Sequence, residues 1–184
     1  MNRFALSLGV CLVFAGLSFA QAGKVNDAIQ KVEAAFEPAE AKAGQTVTLK
    51  ITVKLADGYH TYPLVQQAPE AKFSTNSITF PKDGPVVFVG ETIDPVDAKA
   101  KKVDDYELQV CNGGGTWVRK AVVPPSAKAG EATAKIKFKL LVCDENNCFP
   151  PKTIDLEAPL KVLDAPAVPV EAKYKDEVEK AGKK

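Results

Sequence analysis

Apolar and polar residues alternate most cleanly from Gln45 to Leu55, where Val47, Leu49, Ile51, Val53 and Leu55 share one face and Thr46, Thr48, Lys50, Thr52 and Lys54 the other. A period of two with one apolar side predicts a half-buried β-strand. The pattern recurs at Ala134, Ile136, Phe138 and Leu140, interleaved with Lys135, Lys137 and Lys139. Residues 31–36 predict a first strand, although Val25, Ile29, Val32 and Phe36 also fit a helical stripe. Shorter apolar runs at 77–80, 86–89, 106–110, 117–123 and 153–162 add strands, separated by turn formers such as Pro81-Lys82-Asp83-Gly84 and Pro124-Pro125-Ser126-Ala127. Seven or more short strands without a convincing core helix predict an all-β fold, an immunoglobulin-like antiparallel β-sandwich. Residues 91–105, polar and containing Pro95, predict a long surface loop.

The ends break the pattern. Asn2-Arg3 precede a stretch from Phe4 to Phe19 that is almost wholly apolar or small, and Ser18-Phe19-Ala20 and Ala20-Gln21-Ala22 fit the small-x-small rule for signal cleavage. The expected organisation is a signal peptide over 1–22, a sandwich domain over 23–163 and a charged, flexible tail over 164–184. A short helix from Val170 is the alternative for the tail. With no second apolar stretch, the expectation is a periplasmic or secreted protein with no membrane span after cleavage. A formal net charge of +1, with lysines that alternate along strands or mix with acids, offers no patch for nucleic acid.

Cysteine usage carries the candidate chemistry. Cys11 falls in the signal, which leaves Cys111, Cys143 and Cys148 in an exported chain, an odd number. Leu141-Val142-Cys143-Asp144-Glu145-Asn146-Asn147-Cys148-Phe149-Pro150-Pro151 follows an alternating strand, and Asp144 to Asn147 are turn formers. A four-residue loop sets Cys143 opposite Cys148, near the ~5.5 Å Cα separation a disulfide favours, so the pair can close. So short a loop gains little chain-entropy stabilisation from closure. Spacing alone leaves a structural staple and a redox pair both open, and the ligands for a zinc site are too few. Pro150 and Pro151 cannot donate ladder hydrogen bonds, which favours an approachable edge. Asp144 and Glu145 disfavour a strongly acidic thiol. Cys111-Asn112-Gly113-Gly114-Gly115 predicts a flexible hairpin loop, Cys111 is either a buried thiol or an exposed third redox partner, and Trp117 is a core aromatic.

The run from Val142 to Pro151 resembles the cysteine motif of the N-terminal, periplasmic domain of the thiol:disulfide interchange protein DsbD, in which two cysteines four or five residues apart precede an aromatic and two prolines. Asp57-Gly58-Tyr59-His60-Thr61-Tyr62 resembles the Gly-aromatic-x-x-aromatic segment of that domain, and Phe88-Val89-Gly90-Glu91 falls where the family has a cap loop. The matches span residues 31–163. The resemblance implies a sandwich whose cysteines cycle between dithiol and disulfide, with Cys148 forming the mixed disulfide and Cys143 resolving it. Tyr59, His60, Tyr62 and Phe149 would line the same end. His60, the sole histidine, reads first as a packing or hydrogen-bonding residue and second as a base for a cysteine. The implied partners are exported thiol oxidoreductases of the thioredoxin fold and a separate membrane electron donor, with no cofactor. The multi-span region and the C-terminal Cys-x-x-Cys domain of the full family protein have no counterpart in these residues. A non-catalytic binding or scaffold domain, and copper(I) handling through Cys143, Cys148 and His60 or Cys111, are the competing functions.

Overall fold

In the computed structural model, which describes residues 25–183, eleven strands form the body of the chain: β1 (Ile29–Glu37), β2 (Glu40–Ala41), β3 (Thr46–Leu55), β4 (His60–Thr61), β5 (Ser77–Thr79), β6 (Val87–Ile93), β7 (Lys99–Val103), β8 (Tyr106–Asn112), β9 (Gly114–Val122), β10 (Gly130–Leu140) and β11 (Lys152–Val162). The expected signal segment and Cys11 lie outside the described residues. No helix among the described residues is long and apolar enough to cross a membrane.

Two four-stranded sheets, ordered β1-β3-β9-β6 and β2-β11-β10-β5, face each other, and a three-stranded sheet ordered β4-β8-β7 closes one part of the fold. Every named pairing is antiparallel except β2 with β11. This is an all-β, immunoglobulin-like architecture. Alternation builds it: Val47, Leu49, Ile51, Val53 and Leu55 are buried along β3, and Ala134, Ile136, Phe138 and Leu140 along β10. Their removal from water is the main favourable term. Trp117 of β9 and Phe138 of β10 meet edge to face, ring centroids 5.0 Å apart, tying the sheets together. On the solvated face of β10, Lys135 stands opposite Glu157 and Lys137 opposite Asp155, so the register that buries the apolar residues also alternates charge.

Three expectations change, and the strand expected at 86–89, rather than a cap loop, is the start of β6. Residues 91–105 are not one loop: β6 runs to Ile93, and β7 pairs with β8 along its length. Lys99, Ala100, Lys101 and Lys102 are exposed, so both faces of β7 are solvated and the period-two signal that marks a half-buried strand is missing. Gly114 and Gly115 are strand residues of β9 opposite Lys54 and Val53, and a Cβ on Gly114 would sit 2.0 Å from the Val53 carbonyl oxygen. The glycines therefore permit a close backbone approach. Phe88 to Glu91 lie in β6; Phe88 packs on Phe80 with ring centroids 4.5 Å apart, and Gly90 N–H donates to the Glu177 carboxylate. Residues 175–181 form a helix whose Val178 is buried against Val89 and Val122. Val170 and Tyr174, from the segment leading into the helix, pack against the same cluster, apolar contacts that the charged composition of this segment conceals.

Candidate functional site: a half-exposed disulfide under a tyrosine

The hairpin forms because β10 and β11 remain paired up to Leu140 and Lys152, and the chain between them folds back on itself. Asp144 N–H donates to the Asn147 carbonyl, Phe149 N–H to the Val142 carbonyl, and the Asp144 carboxylate accepts from the amides of Asn146 and Asn147 at 2.8 and 2.7 Å. Cys143 and Cys148 are thus a non-hydrogen-bonded antiparallel pair, in which the backbones come closer than at a hydrogen-bonded one. Their Cα atoms are 4.0 Å apart, inside the expected ~5.5 Å, and the sulfurs are bonded.

The two halves of the bond differ. Cys143 is 1% exposed, whereas Cys148 is exposed. β4 causes the difference by pairing with both neighbours: His60 exchanges backbone hydrogen bonds with Cys143 at 2.9 and 3.0 Å, while His60 and Thr61 pair with Asn112 and Cys111 of β8. Cys143 is held between two backbone neighbours, β4 and Cys148, whereas Cys148 stands at the exposed end of this series. Beyond it, β2 pairs with β11 only at Lys161 and Val162, leaving the Pro150-Pro151 end without a named strand on that side.

A buried polar clasp fixes β4. Thr61 Oγ1 donates to the Leu141 carbonyl at 2.7 Å, Leu141 N–H donates to Asn76 Oδ1 at 2.8 Å, and the Asn76 amide donates to Thr61 Oγ1 at 2.9 Å and to the Tyr62 carbonyl. Thr61 and Asn76 are 0% and 3% exposed, so these groups depend on one another for hydrogen bonding. Neither was among the predicted site residues. Thr61 sits inside the tyrosine segment, while Asn76 stands alone before β5 with no motif around it.

The clasp sets Tyr62 over the disulfide. Its hydroxyl lies 3.0 Å from Cys143 Sγ and 3.6 Å from Cys148 Sγ. Disulfide sulfurs carry no hydrogen, so Tyr62 is the donor. His60 Nε2 lies 3.1 Å from the same hydroxyl, and with the tyrosine proton directed at sulfur the imidazole donates from Nε2. Burial, then the charge of Tyr106, pushes the Tyr62 phenol up to about 12, so it remains a donor through neutral pH. Burial and then the Lys101 ammonium hold His60 below its usual 6.5, against the opposing Asp144 carboxylate.

The structure brings together Cys143, Cys148, His60 and Tyr62, with Tyr59 and Phe149 beside them, their ring centroids 6.2 Å apart. Phe149 is buried in the main core, and Tyr59 packs against it. Cys111 is a buried free thiol, pushed up to about 12 first by burial and then by Asp97 and Asp94. A cleft of about 690 Å³ opens beside the hairpin, lined by Tyr59, His60, Lys99, Lys101, Asn112 and Glu145. Among the described residues, no three His, Cys, Asp or Glu side chains are placed to hold one metal ion. Chemically the arrangement offers an approachable sulfur bonded to a shielded one, with a hydroxyl donor at the shielded sulfur.

No protein-family model matches the chain, and no curated protein matches it. Among solved structures it is similar to the N-terminal periplasmic domain of ScsB from Proteus mirabilis, at 18% identity and a TM-score of 0.45 over 79% of this chain and 51% of that one. The chain therefore spans about half of that structure. It is also similar to a chain of a type I cohesin–dockerin complex from Clostridium thermocellum, at 14% identity and a TM-score of 0.39 over 73% of this chain and all of that one.

Proposed function

We propose that this chain is an exported thiol–disulfide exchange domain that passes electrons through Cys143 and Cys148 to thioredoxin-fold oxidoreductases and is recharged by a separate membrane electron donor. The observation that carries the reading is the asymmetry of the pair: an exposed Cys148 joined to a Cys143 that is 1% exposed and accepts a hydrogen bond from Tyr62. In the dithiol, a Cys148 thiolate attacks the client disulfide and forms a mixed disulfide. Cys143 then attacks Cys148 Sγ, the bond between Cys148 and the client breaks, and the client leaves as a thiolate. The hydrogen bond to Cys143 stabilises that sulfur when it leaves as a thiolate in the reverse, recharging step.

The reading takes further support from the cysteine and tyrosine motifs, whose residues converge on one end of the fold. Asp144 and Glu145 beside the cysteines disfavour an acidic thiol, which suits exchange governed by docking. Two measurements on the full chain test it. The Cys143–Cys148 potential should lie above about −300 mV, within the exchange range; a lower value marks an inert staple. Thiol trapping of Cys143→Ala in the exported fraction should capture a mixed disulfide through Cys148, and absence of any adduct sinks the proposal.

A further inference from the structure

We propose that His60, acting through the Tyr62 hydroxyl, takes the proton from the buried Cys143 thiol when the pair closes onto a mixed disulfide; this rests on the exchange function proposed above. Tyr62 is the catalytic residue, since its hydroxyl touches the reacting sulfur at 3.0 Å, and His60 is a positioning and proton-accepting residue 3.1 Å behind it.

The need for a relay follows from burial. Cys143 must become a thiolate to attack Cys148, yet at 1% exposure it has no direct route to water. Asp144 and Glu145 next to the hairpin oppose ionisation further. In the mixed disulfide, where Cys143 is the remaining thiol, the hydrogen-bond chain runs outward: Cys143 S–H gives its proton to Tyr62 Oη, and the tyrosine proton passes to His60 Nε2. The Cys143 thiolate attacks Cys148 Sγ, the Cys143–Cys148 bond forms, and the Cys148–client bond breaks. The client sulfur leaves with the electron pair and takes a proton from solvent. The cysteine pair is oxidised by two electrons and the client disulfide reduced by two. The imidazolium then loses its other proton into the cleft that His60 lines. What remains is a neutral ring with a proton on Nε2, donating to a tyrosine that donates to a disulfide sulfur. That is the hydrogen-bond direction the closed disulfide requires.

The charges around His60 suit an acceptor. Burial, and then Lys101 from β7, keep the free ring neutral, while Asp144 from the hairpin favours the imidazolium once formed. Glu145 and Asp57 line the same cleft with Lys99, and Tyr106 of β8 faces Tyr62. Neither Tyr62 nor Cys111, both pushed to about 12, can replace it as a base near neutrality.

The test is rapid-quench exchange of the reduced full chain with excess glutathione disulfide, which separates adduct formation at Cys148 from resolution by Cys143. Wild-type resolution should fall as pH drops through the depressed His60 value. Tyr62→Phe and His60→Gln should slow resolution at pH 7 about 100-fold, the low end for a positioned general base, with adduct formation within about twofold. Their residual resolution should rise with pH as Cys143 ionises unaided. Resolution unchanged in both variants, or slowed with the wild-type pH profile intact, overturns the relay and leaves exchange standing. A wild type that forms no glutathione adduct overturns the relay, and trapping of a client on Cys143→Ala decides exchange separately. Should a variant misfold, the wild type still decides: the imidazole is the sole histidine, and its NMR titration must coincide with the acid limb of the resolution rate.

Discussion

The Tyr62 hydroxyl donates to the sulfur of Cys143 across 3.0 Å of space and 81 residues of sequence. The contact exists because β4 is bonded on one side to β8 and on the other to Cys143, and because Thr61 and Asn76 lock the following residue in place. The buried half of the disulfide is therefore tied to the rest of the fold through β4, and changes there should be felt at the sulfur.

Asn76→Ala should be among the most damaging changes near the site. It leaves the Leu141 N–H and the Tyr62 carbonyl without their buried partner, a loss of about 1–3 kcal/mol for each unsatisfied group. Urea unfolding should show a lowered midpoint with an unchanged slope, together with faster reduction of the disulfide. A midpoint equal to wild type would show that the clasp is not holding β4.

After gentle reduction, Cys148 should be alkylated first. Cys148 is an exposed residue while Cys143 is buried, and reaction at Cys143 must wait for local opening. Peptide mass spectrometry after a timed iodoacetamide pulse reads the order, and equal labelling would contradict the geometry.

Alkali should destabilise the fold through two buried acids. Cys111 and Tyr62 are each raised to about 12, from 9.0 and 10.0. A raised folded value means that the unfolded chain ionises first, so the stability contributed is intact below the unfolded value and is lost as pH climbs toward the folded one. Loss should begin near pH 9 and continue to about 12. Cys111→Ala should delay the onset toward pH 10, as followed by thermal melts across that window.

Acid acts through His60 with the opposite sign. Its folded value is depressed below 6.5, so the unfolded chain binds the proton more readily and stability falls as pH drops from 6.5 through the depressed value. Lys101→Ala should move the histidine's NMR midpoint upward, since that ammonium is one cause of the depression. A downward move would contradict the assigned cause.

Two glycines with positive φ should respond differently to alanine. Gly114, at φ +111, would place a Cβ 2.0 Å from the Val53 carbonyl, whereas Gly58, at φ +81, has nothing within 4 Å. Gly58→Ala should cost about 1–2 kcal/mol from the left-handed conformation alone. Gly114→Ala should cost clearly more, because β3 and β9 must separate. Similar melting temperatures for the two variants would refute the close-approach argument.

Wherever one face of a strand is buried, the sequence shows it. β3 and β10 were legible from alternation, and the Cys143–Cys148 hairpin from its strand, turn residues and spacing. β7 was not legible, because its residues are solvated on both sides and it is held by backbone pairing to β8, which is indifferent to side-chain identity. The glycines of β9 looked like loop for a related reason: they are required by a backbone distance to Val53, and a distance leaves no local pattern.

Period and turn chemistry belong to neighbouring residues, so an all-β chain with two cysteines able to bond was determined before any folding was considered. Which cysteine faces water, which hydroxyl touches sulfur and whether His60 stands behind it depend on residues 60–62, 76, 111–112 and 141–148 meeting around β4. Those separations are spanned only by the packed sheets, and tertiary structure alone decided them.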